Sequence, residues 1–305
     1  MNESTGKRRI EPAQWWVIAL AIAIMAGSVL YRYLTHSPYG RSAAMFIGIP
    51  AVLAILLALT PKAKTVTGGI MKGITLALLV IAPILGEGYL CILFAAPLFY
   101  VVGLLVGLPV DAMRRKDRGG ATLSCLVFAL LPMSLEGVAP QFAFDRRQVV
   151  EATRTISAPV AQVEESLARS PRIERTLPGF LRIGFPRPLE ATGSGLAIGS
   201  ERSILFSGAE GDPPGYLVMR VAEHRPGYVR FETVSDGSKL TQWIRWNVSE
   251  VSWTPVDAQH TRVTWRVHFE RELDPAWYFT AWERAAVRDA AGYLIEANAM
   301  PVGLR

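Results

Sequence analysis

At 305 residues, half of them hydrophobic and with a mean hydropathy of +0.26, the chain is more apolar than a soluble protein of its length usually is. Its formal charge of +6 does not mark a nucleic-acid binder, because the surplus is local: residues 1–144 hold 12 Lys and Arg against 6 Asp and Glu, and residues 145–305 hold 20 against 20. No nucleic-acid partner is expected, and two domains are: a transmembrane region over 1–144 and a soluble domain over 145–305.

Apolar runs of membrane-spanning length predict five helices, approximately Trp15 to Leu34, Ala43 to Thr60, Ile70 to Leu85, Tyr89 to Val110 and Ala121 to Val138. The third is short, with Lys72 near its start, and continues through "GEG" at 86–88 as a tight helical hairpin or a re-entrant pair. The first run is too long for a cleaved signal peptide and has no small-residue cleavage site after it. Trp15, Trp16, Tyr31 and Tyr33 fit interfacial anchors. Basic residues cluster before the first run, between the second and third, and between the fourth and fifth, which predicts a cytoplasmic N-terminus. An odd number of spans then puts the C-terminal domain outside the cytoplasm; loss of the fifth would move it inside. Glu87 and Glu136, beside glycines at span ends, are expected at the interface in contact with water. Cys91 and Cys125 both fall inside predicted spans, so no disulfide framework is implied.

From Asp145 onward charges appear every few residues and the long apolar runs end. "QVVEATRTI" predicts a strand, and "SAPVAQVEESLARS" a helix with Ser157 as its cap, followed by a short helix in "PRIERTL". Strand-like runs at about 180–194, 198–206, 215–224, 227–234, 239–253 and 261–273 are separated by turn chemistry such as "GDPPG", "RPG" and "SDGS". Past Pro275 the apolar residues Phe279, Trp282, Ala286, Ala290, Tyr293 and Ala297 recur at three and four, a long helix with one aromatic-rich stripe. The fold class is therefore a helical membrane region followed by an α+β domain, an antiparallel sheet with helices on one side.

"VVEATRTISAPVAQVEESLARS" resembles the opening strand and helix of the SRPBCC or START-like superfamily, and "TRVTWRVHFERELDPAWYFTAWERAAVRDAAGYL" is similar to its closing strand and helix. The superfamily includes polyketide cyclase/dehydrase and lipid-transfer-like proteins. The resemblance covers roughly 145–300 and implies a helix-grip fold: a curved sheet around a long C-terminal helix, with an apolar cavity between them. It carries no catalytic residues over.

Alternation nominates Leu217, Met219, Val221, Val229, Phe231, Leu240, Ile244, Trp246, Val248, Trp265, Val267 and Phe269 as walls of that interior, with Phe279, Trp282 and Tyr293 from the helix. The ligand-binding candidates among them are Met219, Phe231, Ile244, Trp246, Trp265, Val267, Phe269, Phe279, Trp282 and Tyr293. A filled core is the competing outcome, since six of the eight tryptophans lie in this half. The four histidines have no metal-ligand spacing, and no cofactor is expected. "ATGSGLAIGS" is glycine-rich but lacks the lysine of a phosphate loop and is expected as strand edges and a turn. Glu270, Arg271, Glu272 and Asp274 are expected as a solvated rim, and Arg154 and Arg245 as surface ion-pair partners. The function that follows is a membrane-anchored module binding a hydrophobic small molecule or lipid, its partners being that ligand and the bilayer. The alternatives are a cyclase- or dehydratase-like enzyme, which needs an inward ionisable group, and a filled structural or sensing domain.

Overall fold

The computed structural model describes residues 63–85, 89–116, 136, 138, 141, 144–173, 176–183, 185–208 and 213–301. The expected spans Trp15 to Leu34 and Ala43 to Thr60, most of Ala121 to Val138, the four aromatic anchors, Glu87 and Cys125 lie outside these residues. The chain divides into two compact units, Met1–Leu131 and Pro132–Arg305.

In the first unit α1 (Val66–Leu85) and α2 (Tyr89–Lys116) pack as an antiparallel hairpin. The close approach is made by glycine. A Cβ on Gly103 would come within 2.6 Å of Ile74 Cδ1, and one on Gly107 within 2.7 Å of the Thr67 Cα. Four residues apart, these two glycines share one face of α2 and let the backbones meet. Thr75 Oγ1 and Tyr100 OH lie 2.7 Å apart across the seam. Asp111, which sequence analysis passed over, caps α1 from the neighbouring helix: its oxygens accept from Val66 N at 2.7 Å, Thr67 N at 3.0 Å and Thr67 Oγ1 at 2.6 Å. Among the described residues one helical stretch is long and apolar enough to cross a membrane, Ile92–Arg114, with mean hydropathy 2.2; the apolar part of α1, Val66–Leu79, is shorter. Phe99, Leu104, Leu105 and Leu108 are exposed on the outer surface of α2.

The described residues of the second unit form one seven-stranded antiparallel sheet, two α-helices and two 3-10 turns. Its strands are β1 (Arg147–Ile156), β2 (Pro188–Thr192), β3 (Glu201–Phe206), β4 (Gly215–Arg225), β5 (Tyr228–Asp236), β6 (Ile244–Pro255) and β7 (Thr261–Arg271). The order is β1-β7-β6-β5-β4-β3-β2. Six strands thus run as a meander, and the first joins the edge of the last. The sheet curls round the closing helix α4 (Ala276–Ala299), with α3 (Val160–Ala168) beside it. This is the expected α+β arrangement in the C-terminal half.

Local departures have physical causes. α3 begins after Pro159 with no side-chain cap, so Ser157 does not cap it. No helix forms in the described residues of 171–177; a 3-10 turn follows at Gly179–Ile183, and β2 is only five residues long. A second 3-10 turn, Lys239–Gln242, stands where the strand run was expected to begin, because Ser238 Oγ accepts from Leu240 N and coils the chain. The glycine-rich stretch is a turn, as expected. Gly193 sits at φ +90°, where a Cβ would meet the Glu201 carbonyl oxygen at 2.1 Å.

Candidate functional site

The concave face of the sheet and the inner stripe of α4 enclose the core of the second unit. Leu217, Met219, Val221, Val229, Phe231, Ile244, Trp246, Trp265, Val267 and Phe269 are all buried in it. Two expectations fail for reasons of register. β6 carries a bulge between Trp246 and Val248, which flips the parity beyond it. Ser249, Val251 and Trp253 therefore face inward, and Val248 does not. On α4 the inward stripe is Glu283, Val287, Ala291 and Ile295, one position on from the expected stripe. Trp282 is consequently 42% exposed. Phe279 and Leu240 are half-buried, and Tyr293 is buried.

Of the four residues expected as a solvated rim, Glu270, Glu272 and Asp274 are partly exposed and Arg271 is buried. Arg271 continues the inward parity of Val263, Trp265, Val267 and Phe269 and is fully buried, so it is not a solvated residue. All five of its N–H groups are used. Nε donates to Asp145 O at 3.3 Å, Nη1 to Leu273 O at 2.9 Å and Asp274 Oδ1 at 2.5 Å, and Nη2 to Glu136 Oε1 at 3.3 Å and Phe144 O at 3.2 Å. Glu136, expected at a membrane interface, is instead 6% exposed within the second unit. Its Oε1 also accepts from Ala276 N at 2.7 Å. It thereby caps α4, whose own N-cap, Pro275, has no side-chain hydrogen bond to give. Arg146 holds Asp274 from the other side, Nη2 to Oδ2 at 2.5 Å. Arg245 pairs with Glu270 at 3.6 Å and Glu272 at 2.9 Å on the surface, as expected, and Arg154 lies against the bare Cα of Gly292.

Two inward ionisable groups were missed, and each had a signal. Arg202 shares the parity of Ile204 on β3 and is 5% exposed. It donates to Leu167 O and, at 3.2 Å, to Asn298 Oδ1, and it stacks 4.8 Å over the Phe231 ring. Burial lowers its pKa to about 10. Both acceptors lie in the last turns of α3 and α4, whose dipoles favour a cation, so Arg202 locks two helix ends to the sheet.

Glu283 is different. It occupies an i, i+4 position with Val287, Ala291 and Ile295, all but fully buried, and is itself 5% exposed. Oε1 accepts from Leu273 N at 3.3 Å; Oε2 is buried with no hydrogen-bond partner. Burial pushes the carboxyl up to about 7, only partly opposed by backbone N–H groups and Arg271. The indole N–H groups of Trp253 and Trp265 are also buried without partners, whereas Trp246 donates to Ser249 Oγ at 3.0 Å. Glu272 N donates to Trp243 O at 3.0 Å, which puts Trp243 one residue along the backbone from the Leu273–Glu283 bond. Half-buried Trp243 meets Phe185 at 5.5 Å between ring centroids, with half-buried Leu240 on the adjoining 3-10 turn.

Known proteins add the following. No family model matches the chain, and no curated protein matches it. Among solved structures it is similar to the Zhui aromatase/cyclase of a Streptomyces species, at 16% identity and a TM-score of 0.29, over 50% of this chain and 86% of that one. It is also similar to truncated norcoclaurine synthase from Thalictrum flavum, at 10% identity and 0.36, over 52% and 94%. A major latex-like protein from Panax ginseng aligns at 13% and 0.29, over 49% and 99%. At such values the fold rests on the strand order and α4 themselves.

Among the described residues no three His, Cys, Asp or Glu side chains come together as metal ligands. In the first unit a cleft of about 560 Å³ is lined by Thr65, Thr67, Gly68, Met71, Leu108 and Asp111. Its carboxylate is already occupied in capping α1.

Proposed function

We propose that the second unit is a binding module for a hydrophobic small molecule or lipid, and that the N-terminal region holds it at a membrane. The observation that carries this is that the apolar interior of one unit holds a carboxyl oxygen on α4 and two indole N–H groups on the sheet left without partners. Buried polar groups are nearly always paired, and an apolar enclosure with a few unanswered polar points is the usual character of a small-molecule site. The exposed apolar surface of α2 and its span-length stretch support the anchor. An apolar guest partitions into the bilayer, so tethering its receiver there raises the effective concentration without new contacts. With the basic loops cytoplasmic, five spans deliver the module to the opposite side.

Glu283 also favours a second reading, acid–base chemistry on the guest, because a carboxyl with a pKa of about 7 can both give and take a proton near neutrality. Native mass spectrometry of the full chain released from detergent tests the first reading. A retained small-molecule adduct that an added apolar probe displaces is the expected result. Absence of any adduct together with no uptake of the probe leaves the filled-core alternative.

A further inference from the structure

We propose that Glu283 is the polar recognition point of this interior, donating a carboxylic O–H from Oε2 to a carbonyl or hydroxyl oxygen on an otherwise apolar guest. The proposal rests on the binding reading above and specifies the guest's head group.

The charges around Glu283 leave it without a counter-ion. The end of β7 and the turn after it present Arg271 and Asp274, and the segment before β1 presents Glu136 and Arg146. Arg271 is the natural partner for a buried carboxylate, yet its five N–H groups are committed to Asp145, Leu273, Asp274, Glu136 and Phe144. Arg146 is taken up by Asp274 and by backbone oxygens of Arg271 and Glu272. Glu136 and Asp274 already balance the two arginines, so an ionised Glu283 would add an unpaired negative charge in an apolar setting. The neutral acid is the form such a setting favours.

The proton's position follows from the hydrogen bond already present. Oε1 accepts from Leu273 N, so the proton belongs on Oε2, the oxygen with no partner. A protonated carboxyl there is a donor, and what it lacks is an acceptor. Among the described residues Oε2 has none: Val287, Ala291 and Ile295 complete the stripe, and Arg284, next in sequence, turns to Gln148 Oε1 at 3.1 Å. A ketone, aldehyde, ester or alcohol oxygen on the guest supplies what is missing.

The pH dependence has a fixed sign. An acid whose pKa is raised by folding keeps its proton in the native state between about 4.5 and about 7, so the native state binds more protons there. Stability therefore falls as pH rises through that window, and the donor is lost once Glu283 ionises. Glu283→Gln retains an N–H donor and does not titrate.

The test uses the full chain in lipid nanodiscs, with empty discs as blank, and two matched probes: a naphthyl methyl ketone and ethylnaphthalene. Affinities are measured at about pH 5.5 and about pH 8.5, either side of the window. At the lower pH the ketone should bind roughly tenfold better than the hydrocarbon, the worth of one hydrogen bond left unmade otherwise. At the higher pH wild type should lose that preference and Glu283→Gln should keep it. Glu283→Leu should lose it at both values while still binding ethylnaphthalene. In the absence of probe, the thermal midpoint of wild type should drop between the two pH values by more than that of Glu283→Gln. Equal binding of the two probes by wild type at both pH values, or a ketone preference that survives Glu283→Leu, overturns the proposal and leaves the binding module standing. Failure of both probes to bind overturns the binding reading as well.

Discussion

Trp282 and Trp253 are both aromatic residues on patterned elements, and they differ in what a truncation would cost. Trp253 is fully buried in the sheet core, so Trp253→Ala should cost about 3–5 kcal/mol of unfolding free energy. Trp282 lies on the outward side of α4, and Trp282→Ala should cost about 1 kcal/mol or less by the same denaturant titration. At this scale alternation was a good guide along β4, β5 and β7. It would also have located Arg202 and Arg271 had charged residues been allowed inside. The habit of placing charges at the surface hid them, because it takes no account of a partner brought from elsewhere in the chain, such as Glu136 for Arg271.

Elements show where local pattern ends. On a helix, stripes one position apart differ by only about 100° of rotation, and composition favours the aromatic one. Packing against the sheet turned Glu283, Val287, Ala291 and Ile295 inward instead. The β6 bulge is a second case: no single residue between Trp246 and Val248 announces it, and its effect is to bring Trp253 inside in place of Val248. For the hairpin of α1 and α2 the glycines were there to be read, but their partners were not. Gly107→Leu should lower the thermal midpoint of the purified protein by several degrees, since its new Cβ meets Thr67 backbone. Gly69→Leu, whose Cβ meets nothing within 4 Å, should leave it nearly unchanged.

For the whole molecule, the ties between Glu136, Arg271 and Ala276 predict that a stable piece begins before Glu136. Expressed alone, residues 132–305 should unfold cooperatively. A piece starting at Asp145 loses the cap of α4 and leaves a buried guanidinium one carboxylate short, and should be less stable by about 3–5 kcal/mol in urea titration. Equal stability of the two would show that Glu136 contributes little. Topology has its own check: a reporter active only in the cytoplasm, fused after Arg305, should be silent if five spans precede the module, and activity there would remove one.

Sequence alone determined what depends on neighbours a few residues apart. The change of composition near Asp145, the shift of hydrophobic period at Pro275, the antiparallel strands, the long closing helix and most of the sheet's inward residues follow from local spacing and turn chemistry. The tertiary structure decided what depends on groups far apart in the chain. It set the helix rotation that turns Glu283 inward, the bulge that exchanges Val248 for Trp253, and the meeting of Glu136 with Arg271 across 135 positions. The physical reason is that a carboxyl's environment is fixed by whatever packs over it, and no periodicity records which distant arginine has donors left to give.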